Sequence, residues 1–167
     1  MLSRDLIDLG AIKFGKFTLT SGAVSNYYVD IKEACTIPRV LEEVVDEISP
    51  HIEADMVAGV ELGAVPLVVA TSVRLKKPYV IIRKERSHGT KDLLVGTSVS
   101  GKTVDIIEDV VTTGGSVMKA INLLRERGAR VGRVICVVDR EEGGKTLLQG
   151  AGVELIPLLK ISSLVKN

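Results

Sequence analysis

Apolar residues along the chain follow two distinct patterns. Between residues 38 and 48 they recur at helical spacing, with Val40, Leu41, Val44, Val45 and Ile48 on one face and Glu42, Glu43, Asp46 and Glu47 on the other. That is a helix with one side turned to a core. Pro38 suits its first turn, where a missing N–H is no loss. Elsewhere the apolar residues run continuously and are rich in β-branched side chains, as in MVAGV, YVII, VDIIE, RVICVV and VELIPLL. Helical stretches near 64–75 and 116–127 separate several of these runs, and glycine-bearing turns bound them. Continuous runs of this kind are strands covered on both faces of a parallel sheet. Ahead of them, residues 2–9 read as a short helix with Ser3 at its N-cap and Gly10 as its stop, followed by the strand-like KFTLT and SNYYVDI around a Ser21-Gly22 turn.

The predicted class is therefore α/β, with a central, mostly parallel sheet flanked by helices. Ligands in such sheets bind where loops leave the carboxyl ends of strands, which directs attention to the loops after Val60, Ile82, Glu108 and Val138. A length of 167 residues fits one domain over 1–167 and leaves no room for a second enzymatic unit. The charges nearly cancel, 22 Lys plus Arg against 21 Asp plus Glu, which argues against nucleic acid held by bulk positive charge and against an acidic disordered tail. No apolar run reaches the roughly 18 residues of a membrane span. The first ten residues lack the basic segment and apolar core of a secretory leader, so the expectation is a cytoplasmic protein without a membrane partner. Cys35 and Cys136 lack a CxxC spacing or a histidine cluster, so neither zinc nor a disulfide framework is expected, and Cys136 in VICVV reads as core.

The most informative segment is VDIIEDVVTTGGS, residues 104–116. A strand leads into two carboxylates, Glu108 and Asp109, and then into a hydroxyl- and glycine-rich turn before a helix. Gly114 and Gly115 permit positive φ angles and inward N–H groups, while Thr112, Thr113 and Ser116 add hydroxyl donors in front of a helix N-terminus. Together they make a cradle for one phosphate. The lysine of a Walker A loop is missing and no GxGxxG is present, which argues against nucleotide hydrolysis by that route and against a dinucleotide. A lone Glu-Asp pair is most simply a strand end entering solvent. Beside a phosphate cradle, the pair would repel the phosphate unless it faces another part of the ligand, such as sugar hydroxyls, which favours a sugar phosphate.

This segment resembles the phosphoribosyl pyrophosphate signature of the type I phosphoribosyltransferases. By that resemblance Glu108 and Asp109 hold the ribose hydroxyls, and Val110, Val111, Thr112, Thr113, Gly114, Gly115 and Ser116 wrap the 5′-phosphate. The rest of the chain resembles the orotate-specific branch of the family. FTLTSGAVSNYYVDIK, residues 17–32, is similar to its N-terminal hood, contributed here by about residues 1–35, with Tyr27 and Tyr28 bordering the pyrimidine. RKERSHGTKD, residues 83–92, resembles the loop that closes over the active site, often that of a neighbouring subunit, and brings Arg83, Lys84, Arg86 and His88 to the pyrophosphate. It departs from the family in being one residue shorter before His88 and in having Arg86 where a lysine is usual. VAGVELGAVPL, residues 57–67, stands where the pyrophosphate loop is expected, without the lysines that many bacterial relatives carry near Thr20 and Gly63. VVDREEGG, residues 137–144, matches the Asp-Arg segment, placing Arg140 on the orotate carboxylate and Thr112 on the ring.

The resemblance implies orotate phosphoribosyltransferase activity, Mg²⁺ on the pyrophosphate with no protein metal ligand named, and a homodimer sharing loop 83–92. It also implies that the decarboxylase of the following step is another chain. Two alternatives stay open: a phosphoribosyltransferase for another base, and a non-catalytic sensor of phosphoribosyl pyrophosphate.

Overall fold

The computed structural model describes residues 1–85 and 92–165. A helix, α1 (Leu2–Asp8), precedes a two-stranded antiparallel hairpin of β1 (Ile12–Thr18) and β2 (Val24–Val29). After α2 (Ile31–Ala34) and α3 (Pro38–Ile48), the chain builds β3 (Met56–Val60), α4 (Val65–Leu75), β4 (Tyr79–Ile82) and β5 (Leu94–Gly96). It continues through β6 (Thr103–Val111), α5 (Gly115–Glu126), β7 (Arg130–Asp139), α6 (Gly144–Gly150), β8 (Glu154–Lys160) and α7 (Ile161–Leu164). The main sheet has the order β5-β4-β3-β6-β7-β8, and every neighbouring pair is parallel except β4 with β5. Order reverses at β3, which pairs with β4 on one side and β6 on the other, so the crevice expected at a topological switch opens beside these three strands.

Period-two alternation divides the core between two faces. On β3, Met56, Ala58 and Val60 join Val117, Ile121 and Leu124 of α5, whereas Val57 joins Leu67 and Val68 of α4 and Val40, Val44 and Ile48 of α3. On β7, Val134 and Cys136 take the α5 side, and Ile135 and Val137 the α3–α4 side. Cys136 is fully buried, as its apolar surroundings led one to expect, and its thiol is held well above the usual range, chiefly by that burial.

Three local expectations change. Ser3 does not cap α1: Met1 holds the cap position with no side-chain hydrogen bond, and Ser3 lies inside the helix. The strand expected to end at Glu108 runs on to Val111, so Asp109 too lies within β6 and not in a loop beyond it. Of the two glycines, Gly114 alone takes a positive φ, +85°; Gly115 has helical geometry, and a Cβ there would meet only Thr113 Oγ1 at 3.8 Å. No helix among the described residues is long and apolar enough to cross a membrane.

Candidate active site

At the carboxyl end of β6, consecutive strand positions send Glu108 and Asp109 to opposite sides of the backbone. A cavity of about 380 Å³ is open to both, walled by Glu61–Gly63 after β3, Lys84 after β4, Val110 and Ser116, and Lys32 from the hood side. Asp109 is clasped closely: its Oδ1 accepts from the Val110 N–H at 2.9 Å, and a Cβ at Gly63 would run into its carboxylate. No side chain fits at position 63 while Asp109 stays there. Glu108 is 7% exposed, and its Oε1 has no hydrogen-bond partner within the protein. Burial, reinforced by the neighbouring Asp109 charge, pushes its carboxyl up to about 8, against the opposing pull of the Val60 backbone and of Lys84. A buried acceptor aimed into a cavity suits a ligand that brings its own O–H donors.

The turn after β6 is the one expected from sequence to cradle a phosphate. Thr112 and Thr113 lead to Gly114 at α5's N-cap, and the first turn of α5 begins with Gly115 and Ser116. Contacts from β7's end hold this turn from outside: the Arg140 N–H donates to Val111 O at 2.9 Å, and the Gly144 N–H to Thr112 O at 3.1 Å. Gly144 is pressed into the same seam, where a Cβ would lie 2.6 Å from Val111 Cγ1 and 2.9 Å from the Thr112 carbonyl oxygen.

On the far side of the cradle, Arg140 meets the hood. Its guanidinium sits 4.9 Å from the centroid of the Tyr27 ring, and its Nη2 is 3.0 Å from Glu142 Oε1. The Tyr27 hydroxyl donates to the same Glu142 oxygen at 3.0 Å. Desolvation, with Glu142 adding to it, raises the Tyr27 phenol above its usual value despite the opposing Arg140 charge. Tyr27 and Arg140 are in contact, and Thr112 follows Val111, whose carbonyl accepts from the Arg140 N–H. Tyr28 stands apart. Being next to Tyr27 on β2, it faces the other way, packing on Phe17 at 5.9 Å and donating to Asp30 Oδ2 at 3.2 Å. Period two decides this, and an aromatic pair on one strand cannot border one ligand with both rings on the same side.

Arg83 and Lys84 leave β4 at the edge of the site. The Lys84 N–H donates to Glu61 Oε1 at 2.6 Å, which joins the loops after β3 and β4, and Lys84 also lines the cavity beside Glu108. Arg83 lines an adjoining cavity of about 500 Å³ with Lys119 and Ser116 of α5. Arg86 and His88 lie outside the described residues. Lys32, Glu61, Glu142 and Gly144 were not singled out from sequence. Each lies in a segment already noted, Lys32 at the end of the hood segment, and Lys32 stands at the cavity with its Nζ 3.3 Å from Asp30 Oδ1.

Comparison with known proteins gives the family. The profile described as "Phosphoribosyl transferase domain" matches residues 30–151. An orotate phosphoribosyltransferase of Thermoplasma volcanium is 61% identical over 164 residues, covering 98% of this chain and 99% of that one. The chain belongs to the orotate phosphoribosyltransferase family. Among solved structures, the orotate phosphoribosyltransferase of Aeropyrum pernix is 32% identical with a TM-score of 0.89, covering 99% of this chain and 97% of that one. The Mycobacterium tuberculosis enzyme, solved in complex with 5-phospho-alpha-D-ribosyl 1-diphosphate, is 26% identical with a TM-score of 0.77 over 98% and 96% of the two chains. The chain also matches Leishmania donovani UMP synthase at 31% identity and a TM-score of 0.86, with 99% of its length, but spans 37% of that longer protein. Membership of the orotate phosphoribosyltransferase family makes the protein a transferase of the type I phosphoribosyltransferase fold, with the hairpin β1–β2 as the small N-terminal sheet.

Proposed function

We propose that the protein transfers ribose 5-phosphate from phosphoribosyl pyrophosphate to orotate, giving orotidine 5′-monophosphate and pyrophosphate. The observation that carries this reading is the buried Glu108 carboxyl beside Asp109, its Oε1 without a partner, on the strand that leads into the hydroxyl- and glycine-rich turn. The ribose hydroxyls donate to Glu108 and Asp109, and the 5′-phosphate seats on the turn from Thr112 to Ser116 against the N-terminus of α5. Orotate lies between the Tyr27 ring and Thr112, with its carboxylate on Arg140.

In the reaction the C1–oxygen bond to pyrophosphate breaks, its electron pair leaving with that group, and a ring nitrogen of the base forms the new bond to C1. Positive charge develops on the ribose and negative charge on the departing group. Alignment of two bound reactants and fixed charges at these points lowers the barrier, with no covalent intermediate on the protein. Glu108 and Asp109 lie on the ribose side, and Lys84 and Lys32 bring positive charge to the same cavity. Arg83 joins them from the adjoining cavity.

No cluster of three or more Asp, Glu, His or Cys stands ready to hold a metal among the described residues. The cavity's donors are hard oxygens and fit Mg²⁺ carried by the pyrophosphate and water, with no protein ligand assigned. When bound there, Mg²⁺ would offset charge on the pyrophosphate. A homodimer sharing loop 83–92 and a cytoplasmic location complete the proposal.

The test is to supply purified protein, Mg²⁺ and phosphoribosyl pyrophosphate with orotate, uracil, adenine, hypoxanthine or xanthine in turn. Consumption of orotate alone is expected. Turnover of another base, or binding of phosphoribosyl pyrophosphate with no turnover, would overturn the proposal.

A further inference from the structure

Arg140 is a largely buried cation, its side chain 13% exposed, whereas its partner Glu142 is 41% exposed. A guanidinium withdrawn from water needs a counter-charge, and leaving it unpaired is costly. Glu142 meets that need through a backbone made for it. Glu141, just before it, has φ +56° and is anchored at both ends, its N–H on the buried Asp139 Oδ1 at 2.8 Å and its Oε2 accepting from the Ser162 N–H at 2.8 Å. Gly143, just after it, has φ +104°. Left-handed geometry at both flanking positions, 141 and 143, turns the chain so that Glu142 faces the hood. There its carboxylate takes one hydrogen bond from Tyr27 and one ion pair from Arg140, both at 3.0 Å and both on Oε1.

An oxygen held at once by an arginine and a tyrosine hydroxyl occupies the place that the carboxylate of an acidic base would take. We infer that Glu142 is a placeholder carboxylate, holding Arg140 until the carboxylate of the incoming base displaces it, and thereby sets affinity and selectivity for that base. The inference rests on the proposal that Arg140 receives the orotate carboxylate. A neutral pyrimidine offers Arg140 no replacement charge, so Glu142 stays and the base pocket remains closed at that corner. An orotate ring brings the same group that it displaces, and Glu142, being the more exposed partner, is free to turn to water. Selectivity then comes from an internal competitor as well as from the attraction of Arg140. The loop's hydrogen bonds to Val111 and Thr112 put this exchange directly behind the phosphate cradle.

Steady-state kinetics of the full chain test this. Glu142→Gln keeps the shape and an acceptor for Tyr27 and removes the charge; Glu142→Ala removes both. In each variant KM for orotate should fall about 3- to 10-fold while KM for phosphoribosyl pyrophosphate holds within about twofold. Benzoate, a planar carboxylate without the pyrimidine, should inhibit competitively against orotate, and more tightly by a similar factor in the variants. A merely structural clasp would instead raise both KM values together and leave benzoate inhibition unchanged. An unchanged or raised orotate KM in both variants overturns the inference while the wild type still consumes orotate. A wild type that ignores orotate overturns the parent proposal with it.

Discussion

Glu108 shows at the scale of one residue what the site demands. A carboxyl ordinarily near 4.5 is pushed up to about 8 by burial first and by Asp109 second. Its folded value exceeds its unfolded one, so between these two the folded protein holds a proton that the unfolded chain has released. Stability is therefore undiminished below pH 4.5 and falls as pH rises through the window to about 8. Glu108→Gln keeps the shape and cannot ionise. Its melting midpoint should match that of the wild type near pH 4.5 and exceed it by about 3 °C or more at pH 8, read by thermal denaturation without ligand. A difference that does not change with pH would mean that burial of this carboxyl is not felt. The same residue explains why two carboxylates legible in sequence as a pair act as individuals: they are neighbours on a strand, so one enters the α5 side and the other packs on Gly63.

At the scale of elements, the phosphate turn between β6 and α5 is held by the start of α6, an arrangement that depends on the absence of one side chain. Gly144→Ala would force a methyl to 2.6 Å from Val111 Cγ1 and 2.9 Å from the Thr112 carbonyl oxygen. The expected result is a loss of about 1–3 kcal/mol in urea denaturation, with KM for phosphoribosyl pyrophosphate raised about tenfold as the turn is displaced. Gly132→Ala, where nothing lies within 4 Å and no positive φ is required, is the matched control and should leave both values near wild type. Continuous β-branched runs marked β3, β4, β6, β7 and β8, and helical stretches marked α3, α4 and α5. They did not mark β5, three residues at an antiparallel edge, nor α2 and α7, four residues each, since segments that short carry no period to read.

At the scale of the whole molecule, β4 ends in two cations. Lys84 reaches the cavity of its own chain beside Glu108, while Arg83 lines the adjoining cavity against α5. A homodimer that shares the following loop would use cations of one chain on the carboxylates of the other. Mixing Arg83→Ala with Asp109→Asn chains, each nearly inactive alone, should then recover about a quarter of wild-type activity, because half the dimers are mixed and each has one intact site of two. Activity that stays at the level of the separate variants after subunit exchange would show that each site is complete within one chain.

Sequence alone determined what is local. The α/β order follows from the hydrophobic pattern, and the tight turn between β6 and α5 from a run of hydroxyls and glycines between a strand and a helix, since backbone geometry over a few residues is set by those residues. The Glu-Asp pair and the Asp-Arg segment were legible for the same reason, sharpened by resemblance to a known family. Tertiary structure decided what depends on residues far apart in the chain. Tyr27 and Glu142 stand 115 positions apart, and no pattern along the chain could announce that they share Arg140. Tyr27 was separated from Tyr28, and Gly144 was pressed against the Thr112 backbone, only when strands and loops were stacked and the space beside each backbone was filled. Contacts of that kind are specified by packing of the assembled layers, where excluded volume and the burial of charge act on neighbours in space and not on neighbours in sequence.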